Sequence, residues 1–137
     1  MLMKNSARIN QSSQAASLLK ACISQLDHEE LWCLFLNQEN RLIAIEMLTK
    51  GSLSATIIDP RTILRRSLLN NASKVLMAHN HPSGNPAPSQ QDIEQTKKIR
   101  SACGIMDVSF VDHIILAEDT YFSFADERTR NYQPLNI

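Results

Sequence analysis

Apolar residues recur along this chain at two spacings, one typical of helices and the other of strands. Apolar positions three and four residues apart predict a first helix, which Ser12 or Ser13 caps at its N-terminus. These positions are Ala15, Leu18, Leu19, Cys22, Ile23 and Leu26. Residues 31–36 are apolar on both alternating faces, so they predict a central strand that is covered on each side. The polar residues 37–40 predict a turn into a second strand over residues 41–48, which completes a hairpin.

The middle of the chain predicts a strand, a helix and a further strand. Residues 55–58 predict a short third strand. Asp59 and Pro60 stand in the preferred order for an N-cap and the first residue of a helix, and we expect this helix to end at about Leu69. Residues 74–79 predict the next strand, and a loop follows its C-terminal end, where α/β sheets commonly carry ligand-binding residues.

The last part of the chain predicts one helix and a pair of strands. The helix covers residues 89–103, and Gly104 is expected to end it. Residues 108–117 and 121–124 predict the two strands, with a turn between them. The tail after Asp126 is polar, and we expect it to fray.

The order of these elements predicts an α/β fold in which helices cover both faces of a mixed β-sheet. With 137 residues, of which 43% are hydrophobic, the chain is long enough to bury a core without disulfides or a structural metal. We therefore expect a single domain over residues 1–137, with its core at about residues 12–126.

Composition and charge exclude several classes of protein. The net charge is zero, with 14 basic and 14 acidic residues, which provides no general attraction to nucleic acid or to an anionic membrane. The three cysteines are odd in number and far apart, which argues against a disulfide framework and against zinc held by thiolates. Residues 1–11 lack the apolar core of a signal peptide, and no apolar run reaches the length needed to cross a bilayer. We expect a cytoplasmic protein that makes no membrane contact.

Candidate chemistry is concentrated in residues 79–92, a segment broken by three prolines and one glycine. His79 and His81 are separated by one residue, so an extended backbone points both imidazoles the same way, as the ligands of one metal ion require. Asp92 adds an anionic oxygen. Two histidines and one carboxylate, with one position left for water, are typical of a catalytic zinc site. The sequence therefore predicts that His79, His81 and Asp92 hold one zinc ion per chain.

The spacing of this segment, His-x-His, seven residues, then Ser-x-x-Asp, resembles the JAMM motif of JAB/MPN metalloproteases. Two stretches are similar to the bacterial RadC family: His-Asn-His-Pro-Ser-Gly beginning at His79, and Asp-His-Ile-Ile beginning at Asp112. The resemblance extends over about residues 30–124. It implies a JAB/MPN-like three-layer fold of the cytidine-deaminase-like type and a mononuclear zinc hydrolase. Fuller RadC members carry an N-terminal helix-hairpin-helix domain, which we expect this chain to lack.

The same resemblance implies a general base, an upstream glutamate that takes the proton of the attacking water and returns it to the leaving amine. We predict Glu30 for this role. Glu29 and Glu30 are adjacent, so a strand points them to opposite faces and only one of them can aim at the metal. Glu46, in the second predicted strand, is the reserve candidate.

Ser89 has two predicted roles that are compatible with each other. The pattern Ser-x-x-Asp is close to a capping box, so Ser89 is expected to cap the helix with Asp92 as its third residue. The resemblance also implies that Ser89 hydrogen-bonds the oxyanion formed during attack. For His113, which follows Asp112 in an apolar strand, two interpretations stay open: support of the metal site, or ordinary hydrogen bonding in the core.

The function implied by the resemblance is that of a peptidase or isopeptidase, acting on a peptide or protein. The alternative is a catalytically idle MPN-type scaffold that serves DNA-repair or mobile-element proteins. A zinc nucleotide deaminase fits less well, since it would need His-x-Glu and Pro-Cys-x-x-Cys. The contiguous His79-Asn80-His81 also does not fit an HNH nuclease, in which the three motif residues are spread over a ββα unit. The edge strands of a small mixed sheet also leave room for a homodimer.

Overall fold

This computed structural model describes residues 7–23, 27–50 and 58–133, with Lys50 described by its backbone alone. Within these ranges the chain forms three helices and six strands. The helices are α1 (Ser12–Cys22), α2 (Pro60–Leu69) and α3 (Gln90–Ile105). The strands are β1 (Glu30–Leu36), β2 (Leu42–Lys50), β3 (Lys74–Asn80), β4 (Ser109–Leu116), β5 (Thr120–Ser123) and β6 (Arg128–Asn131). None of these helices has the length and hydropathy that spanning a bilayer requires.

The six strands form one sheet in the order β2-β1-β3-β4-β5-β6. Only β3 and β4 run parallel, while every other neighbouring pair is antiparallel. A parallel pair requires a crossover connection, and α3 supplies it. The predicted mixed sheet is therefore confirmed, as is the hairpin formed by β1 and β2.

Side-chain alternation along the strands divides the core into two layers, one on each face of the sheet. The first layer packs against α1, and its strand residues include Leu34, Leu36, Leu76, Ala78, Ile114 and Leu116. The second layer packs against α2 and α3, and its strand residues include Leu31, Cys33, Phe35, Val75 and Met77. In β1 and β3 the even-numbered residues thus face α1, and the odd-numbered residues face α2 and α3. The sheet is sandwiched by helices, as predicted.

The N-termini of the first two helices differ in how well local sequence predicted them. Asp59 caps α2 as expected, because its side chain accepts a hydrogen bond from Arg61 N at 2.9 Å. The predicted cap of α1 by Ser12 or Ser13 is wrong, since the N-cap residue is Gln11 and it makes no side-chain cap bond. Ser12 is the first helical residue, and its hydroxyl donates to the carboxylate of Asp126 near the other end of the chain. A tertiary contact has taken the place of the local one.

The end of α3 also differs from the prediction. The helix continues through Gly104 to Ile105, and Met106 is its C-cap residue. The chain turns at Asp107, whose φ of 56° lies in the left-handed region. Gly104 has negative φ and does not end the helix, because the residue that needs the left-handed conformation comes later.

The prediction that the tail frays after Asp126 is wrong for residues 127–133, the part of the tail that the structure describes. Here β6 pairs with β5 in antiparallel register along its whole length. Tyr132, just after β6, donates a hydrogen bond to Ala117 O at 2.6 Å. Backbone groups make the hydrogen bonds of a strand, so a polar segment can pair at the edge of a sheet. Polarity in this tail reflects exposure of its side chains and not absence of pairing.

Two predictions fall on residues that lie outside the described ranges. Residues 51–57 contain most of the predicted third strand, and Leu26 belongs to the helix predicted first. Ile58, which the structure does describe, is buried and is not part of a strand.

Asp112 of β4 is a buried carboxylate that organises the turn between β5 and β6. It is 2% exposed. Its oxygens accept hydrogen bonds from His113 N at 2.7 Å, from Ser123 Oγ at 2.6 Å and from Ala125 N at 2.9 Å. Burial raises the pKa of Asp112, and these hydrogen bonds act in the opposite direction. One carboxylate therefore holds the segment that leads into β6.

We predict that Asp112→Ala lowers the free energy of unfolding by at least about 2 kcal/mol, because three donors lose their acceptor in or near the core. Urea unfolding followed by circular dichroism measures this change. Asp119→Ala removes an exposed carboxylate from the turn before β5 and is the matched control, with an expected change within about 0.5 kcal/mol. Equal stability of the two variants would contradict this role of Asp112.

Candidate metal centre

The two histidines of the site come from β3 and the residue after it. Val75 and Met77 of this strand are buried against α2 and α3, and the same alternation places His79 and His81 on that face. His79 is 4% exposed, and His81 is partly buried. The His81 amide still donates to Leu116 O of β4 at 2.8 Å, so the extended backbone continues to this residue.

The carboxylate of the site comes from the first turn of α3. Ser89 Oγ accepts a hydrogen bond from Asp92 N at 3.0 Å, and Asp92 Oδ2 accepts one from Ser89 N at 2.8 Å. This reciprocal pair is the capping box that the sequence predicts. It fixes the Asp92 side chain, which is 7% exposed, at the N-terminal end of the helix.

The three predicted metal ligands lie together. The Nε2 atoms of His79 and His81 are 3.0 Å apart. One oxygen of Asp92 lies 3.3 Å from His79 Nε2, and the other lies 3.3 Å from His81 Nε2. In a tetrahedral zinc site with bonds of about 2.0 to 2.1 Å, neighbouring ligand atoms lie about 3.3 Å apart. The donor set and its spacing therefore fit a divalent metal ion of the zinc type.

A backbone carbonyl fixes the orientation of His81. Its Nδ1 lies 2.9 Å from Asn85 O, and a carbonyl oxygen can only accept, so Nδ1 carries the hydrogen. Nε2 is then the nitrogen that faces His79 and Asp92, and in the neutral ring it offers a lone pair to a metal ion. This is the state in which histidine binds a metal.

The carboxylate and the imidazoles stabilise one another electrostatically. Burial acts to raise the pKa of Asp92, but hydrogen bonds from His79 and His81 outweigh it and hold that pKa well below its ordinary value. Burial acts to lower the pKa of His81, and the hydrogen bond with Asp92 is the main effect that reverses it, so that pKa is raised. Asp92 is therefore a buried anion that needs a positive partner, either an imidazolium or a metal ion.

Glu29 is the second carboxylate of the cluster. Its Oε1 lies 3.8 Å from His79 Nε2. One potential ligand atom from each of Glu29, His79 and His81 lies within 4.8 Å of the other two, so these residues form a possible metal-binding triad. Burial raises the pKa of Glu29, and the nearby histidines partly offset that rise.

Glu30 lies on the opposite face of β1, so its contacts do not support the prediction that it reaches the metal ligands. Its carboxylate accepts a hydrogen bond from Trp32 Nε1 at 3.0 Å and lies 3.0 Å from His28 Nε2. The register of the sheet explains this placement, because Leu31 is directly opposite His79 and opposed residues point to the same face. Odd-numbered residues of β1 therefore share the face of the histidines, and Glu30 does not.

Glu46, the reserve candidate, is engaged elsewhere. Its carboxylate accepts two hydrogen bonds from Arg66 of α2, at 2.6 and 2.8 Å, and one from Asn70 at 2.9 Å. The hydrogen bonds from Arg66 are the main cause that lowers the pKa of Glu46. This glutamate therefore ties β2 to α2 and is not part of the cluster.

His113 of β4 contacts one of the predicted ligands. Its Nε2 lies 2.8 Å from His79 Nδ1. The ring is fully buried and stacks on Phe124, with 4.8 Å between the ring centroids and 4° between the planes. Burial holds the pKa of His113 well below its ordinary value, which favours the neutral ring. The contact with His79 favours the first of the two interpretations, support of the metal site.

Asn80, between the two histidines, is a site residue that sequence reasoning missed. Alternation turns its side chain to the other face of the sheet. There its Nδ2 donates to His28 O at 2.9 Å, and its Oδ1 accepts from Glu30 N at 2.8 Å. These bonds hold the backbone on both sides of Glu29. Strand alternation could have identified Asn80, because it gives an amide a buried position that requires partners.

A cavity of about 260 Å³ opens next to His81, on the α1 side of the sheet. Its lining includes His81, Asn80 and Lys20, together with residues 82–84 of the loop. The cavity therefore borders one of the predicted ligands and has room for part of a bound molecule.

Comparisons with known proteins identify relatives over almost the whole chain. The profile of the family described as RadC-like JAB domain matches residues 9–129. A UPF0758 protein of Flavobacterium johnsoniae is 43% identical over 120 residues, which are 88% of this chain and 52% of that protein. UPF0758 proteins of Porphyromonas gingivalis and Enterococcus faecalis are each 39% identical over 120 residues, covering 87% and 88% of this chain and 53% and 52% of those proteins. The chain spans about half the length of these relatives.

We predict that Asn80→Ala loosens the segment that carries Glu29, because Glu30 N and His28 O lose their partner. The Glu30 amide should exchange its hydrogen at least about 10-fold faster, which corresponds to the loss of one hydrogen bond. Hydrogen exchange measured by NMR tests this, with the Leu34 amide in the centre of β1 as the internal reference. Equal acceleration at both amides would indicate general destabilisation and would contradict a specific role for Asn80.

Proposed function

Because this chain belongs to the family of RadC-like JAB domains, we propose that it is a metal-dependent hydrolase that cleaves a peptide or isopeptide bond. The metal of this proposal is zinc, with one ion per chain, and the substrate is a peptide or protein. One observation carries the proposal: facing ligand atoms of His79, His81 and Asp92 lie 3.0 to 3.3 Å apart, with Glu29 beside them.

His79, His81 and Asp92 would hold the metal ion. Asp92 is preferred over Glu29 as the third ligand because its oxygens approach both histidines at 3.3 Å, whereas Glu29 lies 3.8 Å from His79. When bound, zinc supplies Lewis-acid chemistry, since it acidifies a water molecule and polarises the carbonyl under attack. Glu29 stays outside the ligand set and is available for proton transfer.

Glu29 is the general base of the proposed reaction. Its carboxylate takes a proton from the attacking water and gives it to the nitrogen of the leaving amine, so the carboxylate is regenerated when the peptide bond breaks. Asn80 keeps this carboxylate at the cluster by holding the backbone on both sides of it.

Ser89 is the proposed donor to the substrate carbonyl. Its Oγ accepts from Asp92 N, and no described residue accepts its hydroxyl hydrogen. The hydroxyl can therefore donate to the carbonyl oxygen as negative charge develops on it. The N-terminal end of α3, where Ser89 lies, favours the same charge.

We predict that the purified protein retains about one zinc per chain after reconstitution and dialysis, as three protein ligands imply. Elemental analysis measures the stoichiometry, and competition with a chelator measures the affinity. His81→Ala should weaken zinc binding by more than about 100-fold, because even the loss of a residue that supports a ligand costs about 10-fold to 100-fold.

His28→Ala is the control for this experiment, since the His28 ring contacts Asp27 and Glu30. It should bind zinc as the wild type does. A wild-type protein that retains no zinc, or a His81→Ala variant that binds it equally well, would refute the proposed site.

We also predict that Glu29→Gln keeps zinc affinity within about threefold of the wild type but lowers hydrolysis by about 100-fold to 10,000-fold, because the substitution removes only the proton acceptor. The assay uses zinc-loaded protein and a panel of internally quenched peptides, some joined through an α-amine and others through a lysine Nζ. Glu30→Gln is the matched control on the opposite face and should leave both zinc affinity and hydrolysis unchanged.

Two results would count against this assignment. Full hydrolysis by Glu29→Gln would exclude Glu29 as the base. A wild-type protein that binds zinc but cleaves nothing in the panel would favour the catalytically idle scaffold over the hydrolase.

A further inference from the structure

A buried series of hydrogen bonds links His79 to Asp92 through His113 and Thr96. His79 Nδ1 lies 2.8 Å from His113 Nε2, and His113 Nδ1 lies 2.6 Å from Thr96 Oγ1. Thr96 Oγ1 then donates to the backbone oxygen of Asp92 at 2.7 Å. His79, His113 and Thr96 are all less than 5% exposed, so water does not compete for these bonds. These hydrogen bonds join β3, β4 and α3 behind the predicted ligands.

The backbone oxygen of Asp92, at the end of this series, decides which atom donates in each of its hydrogen bonds. A carbonyl oxygen only accepts, so the single hydroxyl hydrogen of Thr96 is used on Asp92 O. Thr96 Oγ1 can then only accept from His113, which means that His113 Nδ1 carries a hydrogen. The two nitrogens of the His113 ring are therefore not equivalent.

The His113 ring is fully buried and contacts His79, Thr96 and Phe124, none of which is an anion, so burial favours its neutral form. A neutral imidazole has one N–H, so with the hydrogen on Nδ1 the Nε2 atom is an acceptor. His79 Nδ1 must then donate to it, so His79 Nε2 is the nitrogen left to bind a metal ion or, without one, to donate to Asp92. That nitrogen faces His81 Nε2 at 3.0 Å and Asp92 at 3.3 Å. His79 is thereby held in the form that a metal ligand requires.

We propose that Thr96 and His113 are positioning residues that fix the tautomer and ring orientation of His79 and so set the affinity of the site for zinc. The proposal rests on the proposed function for the metal, but its tautomer component applies to the metal-free protein as well. The two residues act through His79 and touch neither substrate nor metal. Thr96 lies one helical turn after Asp92, so α3 supplies both the carboxylate ligand and the residue that orients the histidine.

Thr96→Val tests this proposal, because valine keeps the shape of threonine and removes the hydroxyl. Protein with ¹⁵N-labelled histidine is studied by long-range ¹H–¹⁵N NMR, which distinguishes Nδ1–H from Nε2–H rings. In the metal-free wild type, His113 should carry its hydrogen on Nδ1. In Thr96→Val, His113 should lose that preference, and zinc affinity measured by chelator competition should fall by about 10-fold to 100-fold.

Two further variants separate positioning from general destabilisation. Thr96→Ser keeps the hydroxyl and should restore the wild-type NMR pattern, with zinc affinity within about threefold of the wild type. Thr129→Val makes the same substitution at an exposed position of β6 and should change neither quantity. If Thr96→Ser behaves like Thr96→Val, the hydroxyl is not the active feature and the proposal is overturned.

The remaining outcomes separate this proposal from the proposed function. A Thr96→Val protein with wild-type tautomers and wild-type zinc affinity overturns the positioning role and leaves the zinc site standing. A wild-type protein that binds no zinc refutes the proposed function and the affinity claim. In that case the NMR pattern of the metal-free variants still decides whether Thr96 and His113 orient His79.

Discussion

The side chain of Asp92 belongs to two structures at once, the N-terminus of α3 and the histidine cluster. One of its oxygens accepts from Ser89 N at 2.8 Å, and its two oxygens face His81 and His79 at 3.3 Å each. The contact that starts the helix therefore also aims the carboxylate. A buried carboxylate is costly without a positive partner, so the start of α3 and the end of β3 depend on each other. Glu29 joins the same group of side chains through His79, whose Nε2 lies 3.8 Å from Glu29 Oε1.

The sheet determines which side chains can join that contact. β3 lies between β1 and β4, and residues directly opposed in neighbouring strands point to the same face. Leu31 is opposite His79, which puts Glu29, two residues earlier, on the histidine face just beyond the end of the ladder. Met77 is opposite His113, which puts that ring behind His79. The even-numbered Asn80 is on the other face, where it holds the backbone around Glu29 without approaching the cluster.

Two of the wrong predictions, the cap of α1 and the frayed tail, share a physical cause. Ser12 has the chemistry of a helix cap, yet it lies inside the helix, and its hydroxyl donates to Asp126, a charged acceptor that folding brings to it from near the other end of the chain. The polar tail contains no apolar alternation, yet its backbone pairs with β5. In both cases the partner belongs to another element of the fold, and the pattern of the segment itself carries no information about it. The capping residues Asp59 and Ser89 were predicted correctly because their partners lie within three residues.

The sequence by itself determined the fold class and identified His79, His81 and Asp92 as candidate metal ligands. His79 and His81 point the same way in any extended backbone, Ser89 and Asp92 form a local helix start, and the alternation of apolar residues requires a sheet covered on both faces. Strand alternation also placed Glu29 and Glu30 on opposite faces, so only one of them could point toward the histidines. Only the tertiary structure decided between them, because that choice depends on the register of β1 against β3 and on which face α3 covers. Thr96 and His113 likewise became a hydrogen-bonded pair only when α3 packed against β4, since a contact between residues 17 positions apart is set by packing and not by local geometry.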